Sequence, residues 1–352
     1  MHTPTADKFD VSLSEVRRRW LVTGAAGFIG SHLVEELLRQ KQAVIGFDDL
    51  STGSYKNLDE VRAIVGTENW KQFEFVMGDI GDFKACLKVM QGADYVLHQA
   101  GAGSVPRSLK DPKRYHDRNV TGFLNLLLAA RDSGIRRVVY ASSSSVYGSD
   151  ETLPKVENRI GDCLSPYATT KRMNELYASV FARCYGLEPI GLRYFNVFGP
   201  RQNPQGPYAA VIPAWLASMV LRKPVRIHGD GESSRGFCYV ANVVLANLVA
   251  ATTRNLAATN QVYNVSTGGR ITLNELFQML REVLSQYCPH VAGCQPVYGH
   301  FRPGDMRHSE ADIAKAKTLL GYQPSHTFLQ GIQATVPWYY KLLRQKNDSS
   351  IY

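Results

Sequence analysis

The chain has 352 residues, with 40 lysines and arginines against 31 aspartates and glutamates, for a formal net charge of +9. Hydrophobic residues at 44% and charged residues at 20% exclude a disordered, collagen-like or coiled-coil chain, and the length allows one large domain or two ordinary ones. No apolar run approaches the roughly 18 residues of a membrane span, and the first residues, with Asp7, Asp10 and Glu15, lack the apolar stretch of a signal peptide.

A polar arm, 1–18, precedes the first regular pattern. Short β-rich runs follow at Trp20–Thr23, Ala43–Asp48, Phe73–Met77, Tyr95–Gln99, Arg137–Ser142 and Glu188–Arg193. Between most of them, Ser31–Gln40, Phe83–Met90, Val120–Asp132 and Tyr167–Tyr185 have helical apolar spacing. Alternation of this kind predicts an α/β fold, a doubly wound parallel sheet of Rossmann type with helices on both faces. After Arg193 the pattern loosens through the Gly-, Pro- and Asn-rich stretch 199–207. Short strands at Val225–His228 and Val262–Val265 and helices at Leu273–Ser285 and Asp312–Leu320 then predict a smaller, interleaved C-terminal substrate domain. The expected division is 19–193 for the nucleotide domain, with a return segment at about 237–265, and 194–236 with 266–345 for the substrate domain. Six scattered cysteines without a Cys-x-x-Cys or His/Cys cluster read as reduced thiols of a cytoplasmic protein that binds no metal. The positive balance admits an anionic partner: nucleic acid, membrane or phosphorylated small molecule. No basic stripe with interleaved aromatics favours nucleic acid.

Gly24, Gly27 and Gly30 form G-x-x-G-x-x-G between the first strand and first helix. Glycines there allow a tight turn and close approach of a pyrophosphate, whose charge the helix N-terminus attracts. The second strand ends at Asp48, 24 residues beyond Gly24, near the offset at which a carboxylate binds the adenosine ribose. An anion there, reinforced by Asp49, repels a 2′-phosphate and favours NAD over NADP. Asp79, at the end of the third strand, is placed to reach the adenine.

Ser142, Ser143, Ser144 and Ser145 close the fifth strand, and Tyr167 and Lys171 stand one turn apart at the start of a long helix. A lysine ammonium beside a phenol favours the phenolate, which a tyrosine needs to act as a base near neutrality. A serine hydroxyl then orients a substrate alcohol against it.

Taken together, these residues resemble the extended short-chain dehydrogenase/reductases, and within them the UDP-hexose 4-epimerases, most nearly the bacterial UDP-N-acetylglucosamine 4-epimerases. The matching pieces are 23–30, His98-Gln99-Ala100, Ser165-Pro166-Tyr167 with Lys171, 193–199, and Gly304-Asp305. The resemblance implies a tightly held NAD that takes hydride from sugar C4 and returns it to the other face of a 4-keto intermediate. It makes Tyr167 the base, Lys171 its electrostatic partner and ribose ligand, and Ser143 the favoured hydroxyl, with Ser142 and Ser144 close alternatives. Phe28, Ile29, Ile80, Gln99, Ala100 and Tyr194 join the glycines, Asp48 and Asp79 as implied cofactor contacts. Gly103, Ser104, Ser143, Asn196, Ala210, Val211, Arg235, Arg302, Asp305 and Ser309 are the implied UDP-sugar contacts, the arginines suiting a diphosphate.

Ser309, Gly103 and Ala210 are small where epimerases restricted to unacetylated sugars often carry tyrosine, lysine and asparagine. The implied function is therefore reversible C4 epimerisation of UDP-N-acetylglucosamine and UDP-N-acetylgalactosamine, with UDP-glucose/UDP-galactose as the alternative. A 4,6-dehydratase is disfavoured because Ser144 and Ser145 stand where it needs an acidic pair, and a UDP-glucuronate enzyme because no added cation is evident. A non-catalytic NAD-binding sensor is opposed by the intact Ser143, Tyr167 and Lys171. Gly236 and Ala241 depart from the family, which usually has acids there. The resemblance also implies a homodimer through Val120–Asp132 and Tyr167–Tyr185.

Overall fold

The computed structural model describes residues 13, 16–204, 209–301 and 307–349, with 346–349 described by backbone alone. Strands β1 (Arg19–Thr23), β2 (Ala43–Asp48), β3 (Phe73–Met77), β4 (Tyr95–His98), β5 (Arg137–Ser143) and β6 (Glu188–Tyr194) lie within one residue of the predicted runs at each end. Between them come α1 (Phe28–Arg39), α2 (Tyr55–Trp70), α3 (Phe83–Met90), the short α4 (Val105–Lys110) and α5 (Pro112–His116), α6 (Gly122–Asp132) and α7 (Pro166–Tyr185). The helix expected over Val120–Asp132 opens instead as a π-turn, Asp117–Thr121, that runs into α6.

Beyond β6 the chain forms β7 (Val197–Phe198), α8 (Val211–Val220), β8 (Val225–His228), β9 (Ser234–Arg235) and β10 (Cys238–Tyr239). It continues through α9 (Val240–Thr252), β11 (Gln261–Val265), β12 (Ile271–Thr272), α10 (Leu273–Ser285) and β13 (Pro296–Gly299). The last elements are β14 (His308–Ser309), α11 (Ala314–Leu320) and α12 (Phe328–Ser349).

The central sheet has the order β11-β6-β5-β4-β1-β2-β3 and is parallel throughout. Alternate residues of β1 explain why it needs helices on both faces. Trp20 and Val22 enter a core with Leu33, Leu37, Val243 and Leu248 of α1 and α9, while Leu21 enters another with Met90, Phe123, Leu126 and Phe181 of α3, α6 and α7. A third core joins α8, α10, α12 and β8 through Leu216, Leu280, Ile332 and Ile227. Chain order reverses at β1, between β4 and β2, and in open α/β sheets a ligand crevice lies beyond the carboxyl ends of the strands at such a point.

Candidate active site

A cleft of about 550 Å³ opens at that point, lined by Gly24, Gly27, Phe28, Ile29 and Gly30 on the first loop and by Asp48, Asp79, Ile80, Gln99 and Ala100 on the neighbouring strand ends. The glycine loop is closed too tightly for side chains. A Cβ on Gly30 would lie 2.0 Å from the Gly24 carbonyl oxygen, and one on Gly24 (φ +69°) would lie 2.8 Å from the Ala100 amide nitrogen. Gly27 caps α1 without any side-chain hydrogen bond, so the first amides of a twelve-residue helix have no side-chain acceptor.

Asp48 is buried at the end of β2, with Oδ2 accepting from the Ala26 amide at 2.9 Å and Oδ1 from the Leu50 amide at 2.7 Å. Burial raises its carboxyl pKa despite both amides. Together the cradle, the uncapped helix and the fixed carboxylate fit a dinucleotide, with the glycine loop and α1 for its pyrophosphate and Asp48 for its ribose. Gln99 and Tyr194 also line the cleft and close a ring with Asn247 of α9. The Tyr194 hydroxyl donates to Gln99 Oε1 (3.0 Å), Gln99 Nε2 to Asn247 Oδ1 (3.0 Å), and Asn247 Nδ2 to the Tyr194 oxygen (2.9 Å).

The serines at the end of β5 are not equivalent. Ser142 Oγ donates to the buried carboxylate of Glu175 at 2.7 Å, which commits its only proton. Ser143 lines the cleft with Tyr167 and its hydroxyl works to lower that phenol, while Ser143 Oγ accepts the Ser145 amide at 3.1 Å. Ser144 lines the cleft and is half-buried. Of the three candidates, Ser143 is therefore the one whose hydroxyl acts on Tyr167.

Tyr167 follows Pro166 at the first turn of α7, where Ser165 caps the helix through the Ala168 amide. One turn on, Lys171 is buried with Nζ 2.9 Å from the Ala141 carbonyl oxygen. Burial brings the Lys171 ammonium down to about 8. Burial also raises the Tyr167 phenol, which the Ser143 hydrogen bond only partly offsets, so the expected phenolate is not favoured by the protein alone.

His98 sits beneath Lys171 as a neutral imidazole, its pKa lowered to about 3 by burial and then by the Lys171 charge. Thr23 Oγ1 accepts the Ala100 amide (3.2 Å) and also hydrogen-bonds His98 Nδ1 (2.7 Å), which ties the ends of β1 and β4 together.

The substrate expectations divide. Gly103, Ser143, Asn196 and Ala210 line the cleft, and a Cβ on Gly103 would meet no heavy atom within 4 Å, so the space beside it is open. Asn196 Nδ2 donates to the Gly236 carbonyl at 2.8 Å. Ser104, Val211, Arg235 and Ser309 are not among the described residues that line it. Ser104 instead caps α4 through the Arg107 amide, Val211 begins α8, and Ser309 is buried in β14 as the register partner of Arg235 in β9. The Arg235 guanidinium donates to the Ser234 and Arg307 carbonyls, at 3.0 and 3.1 Å. Arg302 and Asp305 lie outside the described residues.

Several lining or supporting residues had no sequence signal: Arg118, Ser51, Thr52, Gln202 and Asn247 look like ordinary surface or helix residues until the fold gathers them. Glu175 carries a faint one, since it continues the i, i+4 face of Tyr167 and Lys171.

The family described as "Epimerase: NAD dependent epimerase/dehydratase family" matches residues 20–266. A putative UDP-glucose 4-epimerase of Methanocaldococcus jannaschii is 36% identical over 90% of this chain and 97% of its own length. Among solved structures, a UDP-N-acetylglucosamine 4-epimerase from Methanobrevibacter ruminantium, in complex with UDP-N-acetylmuramic acid, superposes with a TM-score of 0.84 and 35% identity. The match covers 93% of this chain and 99% of that one. A UDP-glucose 4-epimerase from Thermotoga maritima with UDP-glucose gives 0.82 and 36%, covering 92% and 99%.

Proposed function

The chain belongs to the NAD-dependent epimerase/dehydratase family as an NAD-dependent UDP-sugar 4-epimerase, and on that premise we propose that it interconverts UDP-N-acetylglucosamine and UDP-N-acetylgalactosamine. The observation that carries this choice is the pair Gly103 and Ala210, both small and both lining the cleft with Tyr167 and Ser143. Neither side chain fills the space that a 2-acetamido group needs, and Gly103 borders open volume. Buried Ser309 is a poorer candidate for gatekeeper, because it is not among the described residues that line the cleft.

Bound NAD supplies a hydride acceptor that also returns the hydride. The protein's residues handle the proton and the orientation. Ser143 and Tyr167 hold the sugar O4 between their hydroxyls, and Tyr167 takes its proton. Lys171, one turn along α7, is the cation assigned to stabilise the phenolate. Burial holds the phenol up, so a bound NAD, through the positive charge of its oxidised ring, would add to what Lys171 supplies. Thr23, His98 and Ala100 fix the strand ends below the site without taking part in proton transfer.

The partners follow from the same reading: a UDP-sugar as substrate and a second copy of the chain. Met173, Leu176, Tyr177 and Val180 make an exposed apolar stripe along α7, which supports a homodimer through α6 and α7. No helix among the described residues is long and apolar enough to cross a membrane, and all six cysteines are free, which supports a reducing, cytoplasmic setting.

The deciding test is direct competition between UDP-N-acetylglucosamine and UDP-glucose, without added reductant, read by sugar-nucleotide chromatography. Faster turnover of the acetylated sugar is expected, and Gly103→Lys should reverse the preference. Equal or faster turnover of UDP-glucose by the unaltered protein would sink the proposal.

A further inference from the structure

The π-turn Asp117–Thr121 sends neighbouring side chains to different places. Asn119 is buried, accepting from the Ala102 amide (2.7 Å) and donating to the Ala102 carbonyl and Thr170 Oγ1 (both 3.0 Å). Arg118 instead lines the cleft. Its Nη2 lies 3.2 Å from Asp49 Oδ2, and its Nη1 donates to the Ser51 hydroxyl. Ser51 donates its amide (2.9 Å) and hydroxyl (2.5 Å) to Asp49 Oδ1. The Arg118 and Asp49 side chains are 25% and 29% exposed, so water screens their attraction only in part.

Both anchors of this contact are stiff. Asp48 pins the loop after β2 through the Leu50 amide, and Leu50 takes a left-handed φ of 57° there. On the other wall, Asn174 donates to the Asn119 carbonyl (2.7 Å), and Asn125 Nδ2 donates to the Ile80 and Gly81 carbonyls (3.1 and 2.8 Å). Gly122 packs so closely on Ile80 that a Cβ would lie 2.6 Å from the Ile80 side chain. The two walls are therefore fixed, and the movable part between them is the Arg118 side chain. π-Turns inside helices often mark functional sites, and here the extra residue sets Arg118 at the cleft while Asn119 stays buried.

We propose that Arg118 is a cofactor-retaining residue: its ion pair with Asp49 and hydrogen bond to Ser51 tie the π-turn to the loop after β2 at the adenosine end of the cleft and slow the departure of NAD. The inference rests on the reading of Asp48 as the ribose-binding carboxylate. It also changes the part assigned to Asp49. Burial pushes that carboxyl up, but the Ser51 donors and Arg118 outweigh it, so Asp49 is an anion already engaged by a cation of the protein. Arg118 is by the same token engaged and not free to receive a 2′-phosphate.

The test uses the purified protein with its bound nucleotide, exchanging NAD against a large excess of fluorescent etheno-NAD. Arg118→Met and Asp49→Asn should each speed release about fivefold, the size of one partly shielded ion pair expressed in the dissociation rate. The double variant should be no faster than either single one, and Arg118→Lys should fall between. Added salt should speed release from the unaltered protein and leave Arg118→Met unchanged. Unfolding midpoints of the variants, followed by circular dichroism, distinguish a lost latch from a lost fold, and Arg118→Lys with Asp49→Asn still decide the matter if Arg118→Met folds poorly. An unchanged exchange rate in Arg118→Met, or strictly additive effects in the double variant, overturns the latch. So does a loss of NADP binding with unaltered NAD exchange, which would make Arg118 a phosphate ligand. If the unaltered protein yields no NAD on denaturation, the ribose-pocket reading falls with the latch; retained NAD with unaffected variants overturns the latch alone.

Discussion

Glu175 of α7 and Arg193 of β6 form a buried, doubly hydrogen-bonded ion pair, with Arg193 Nε on Oε1 and Nη2 on Oε2, each at 2.8 Å. Ser142 Oγ shares Oε1, and Arg172 Nη1 shares Oε2 at 2.9 Å. Burial alone would raise the Glu175 carboxyl, yet Arg193 and the other donors hold it below its ordinary range. The pair thus joins the strand end that carries Ser143 to the helix that carries Tyr167.

Removing one member leaves the other charged and buried. Glu175→Ala should cost about 3–5 kcal/mol of stability, because Arg193 keeps its charge and loses two hydrogen bonds. Urea unfolding checks this. A loss below about 1 kcal/mol would mean that water or another acid replaces the carboxylate.

The two adjacent serines should separate sharply in activity. Ser143→Ala removes the hydroxyl that meets Tyr167 and should lower kcat by about 10²-fold or more, while NAD content stays unchanged. Ser142→Ala leaves that contact in place and should lower kcat only a few-fold, with some loss of stability from the vacated Glu175 oxygen. Equal losses in the two variants would remove the distinction.

Acid should weaken the fold through His98. The imidazole has an ordinary value of 6.5 and is brought down to about 3 by burial and by Lys171. As pH falls below 6.5 the unfolded chain takes up the proton first, so stability is complete above that value and is lost progressively toward 3. Between pH 7 and 5 the loss from this one group is about 2 kcal/mol. Unfolding midpoints of His98→Asn should show a correspondingly shallower decline over the same interval, and an identical decline would assign the acid sensitivity elsewhere.

Gly236 is a departure that leaves a mark in the structure. Ser266 Oγ is buried without a hydrogen-bond partner among the described residues, and a Cβ on Gly236 would lie 3.5 Å from it, in ordinary contact. Gly236→Asp should give that hydroxyl an acceptor and reduce the freedom of the unfolded chain, for a gain of about 1 kcal/mol. A lower melting temperature would show that the desolvated carboxylate outweighs both gains.

Legibility followed burial. Strands such as Arg137–Ser143 are buried on both faces, so their apolar runs are nearly unbroken and stand out. Helices α2, α8, α9 and α12 carry no such mark in the sequence. Eleven of the thirteen residues of α9 are buried, which removes the polar face that creates a helical period. α2 buries only Leu58, Val61 and Val65 and breaks at Gly66 (φ 77°), and α12 has Pro337 in its interior. At the site, the candidates that rest on backbone geometry or a titratable side chain in a loop–strand–helix order could be named from the sequence: the glycines, Asp48, Ser143, Tyr167 and Lys171. Arg118 and Asn247 were not, because their roles arise from contacts across distant segments, such as Asn247 with Gln99. The sequence favoured Ser143 over Ser142 only through the resemblance, since the carboxylate that engages Ser142 comes from α7.

The sheet is completed by a latecomer. β11 pairs with β6, yet Gln261 leaves the ribosome roughly 70 residues after Tyr194. At roughly 5–20 residues per second, the β6 edge stands open for several seconds of synthesis. An unpaired parallel edge is a template for another chain. A transcript truncated between these two strands would therefore yield a product prone to pair with its own copies, and the intact nascent chain needs that edge shielded until β11 arrives.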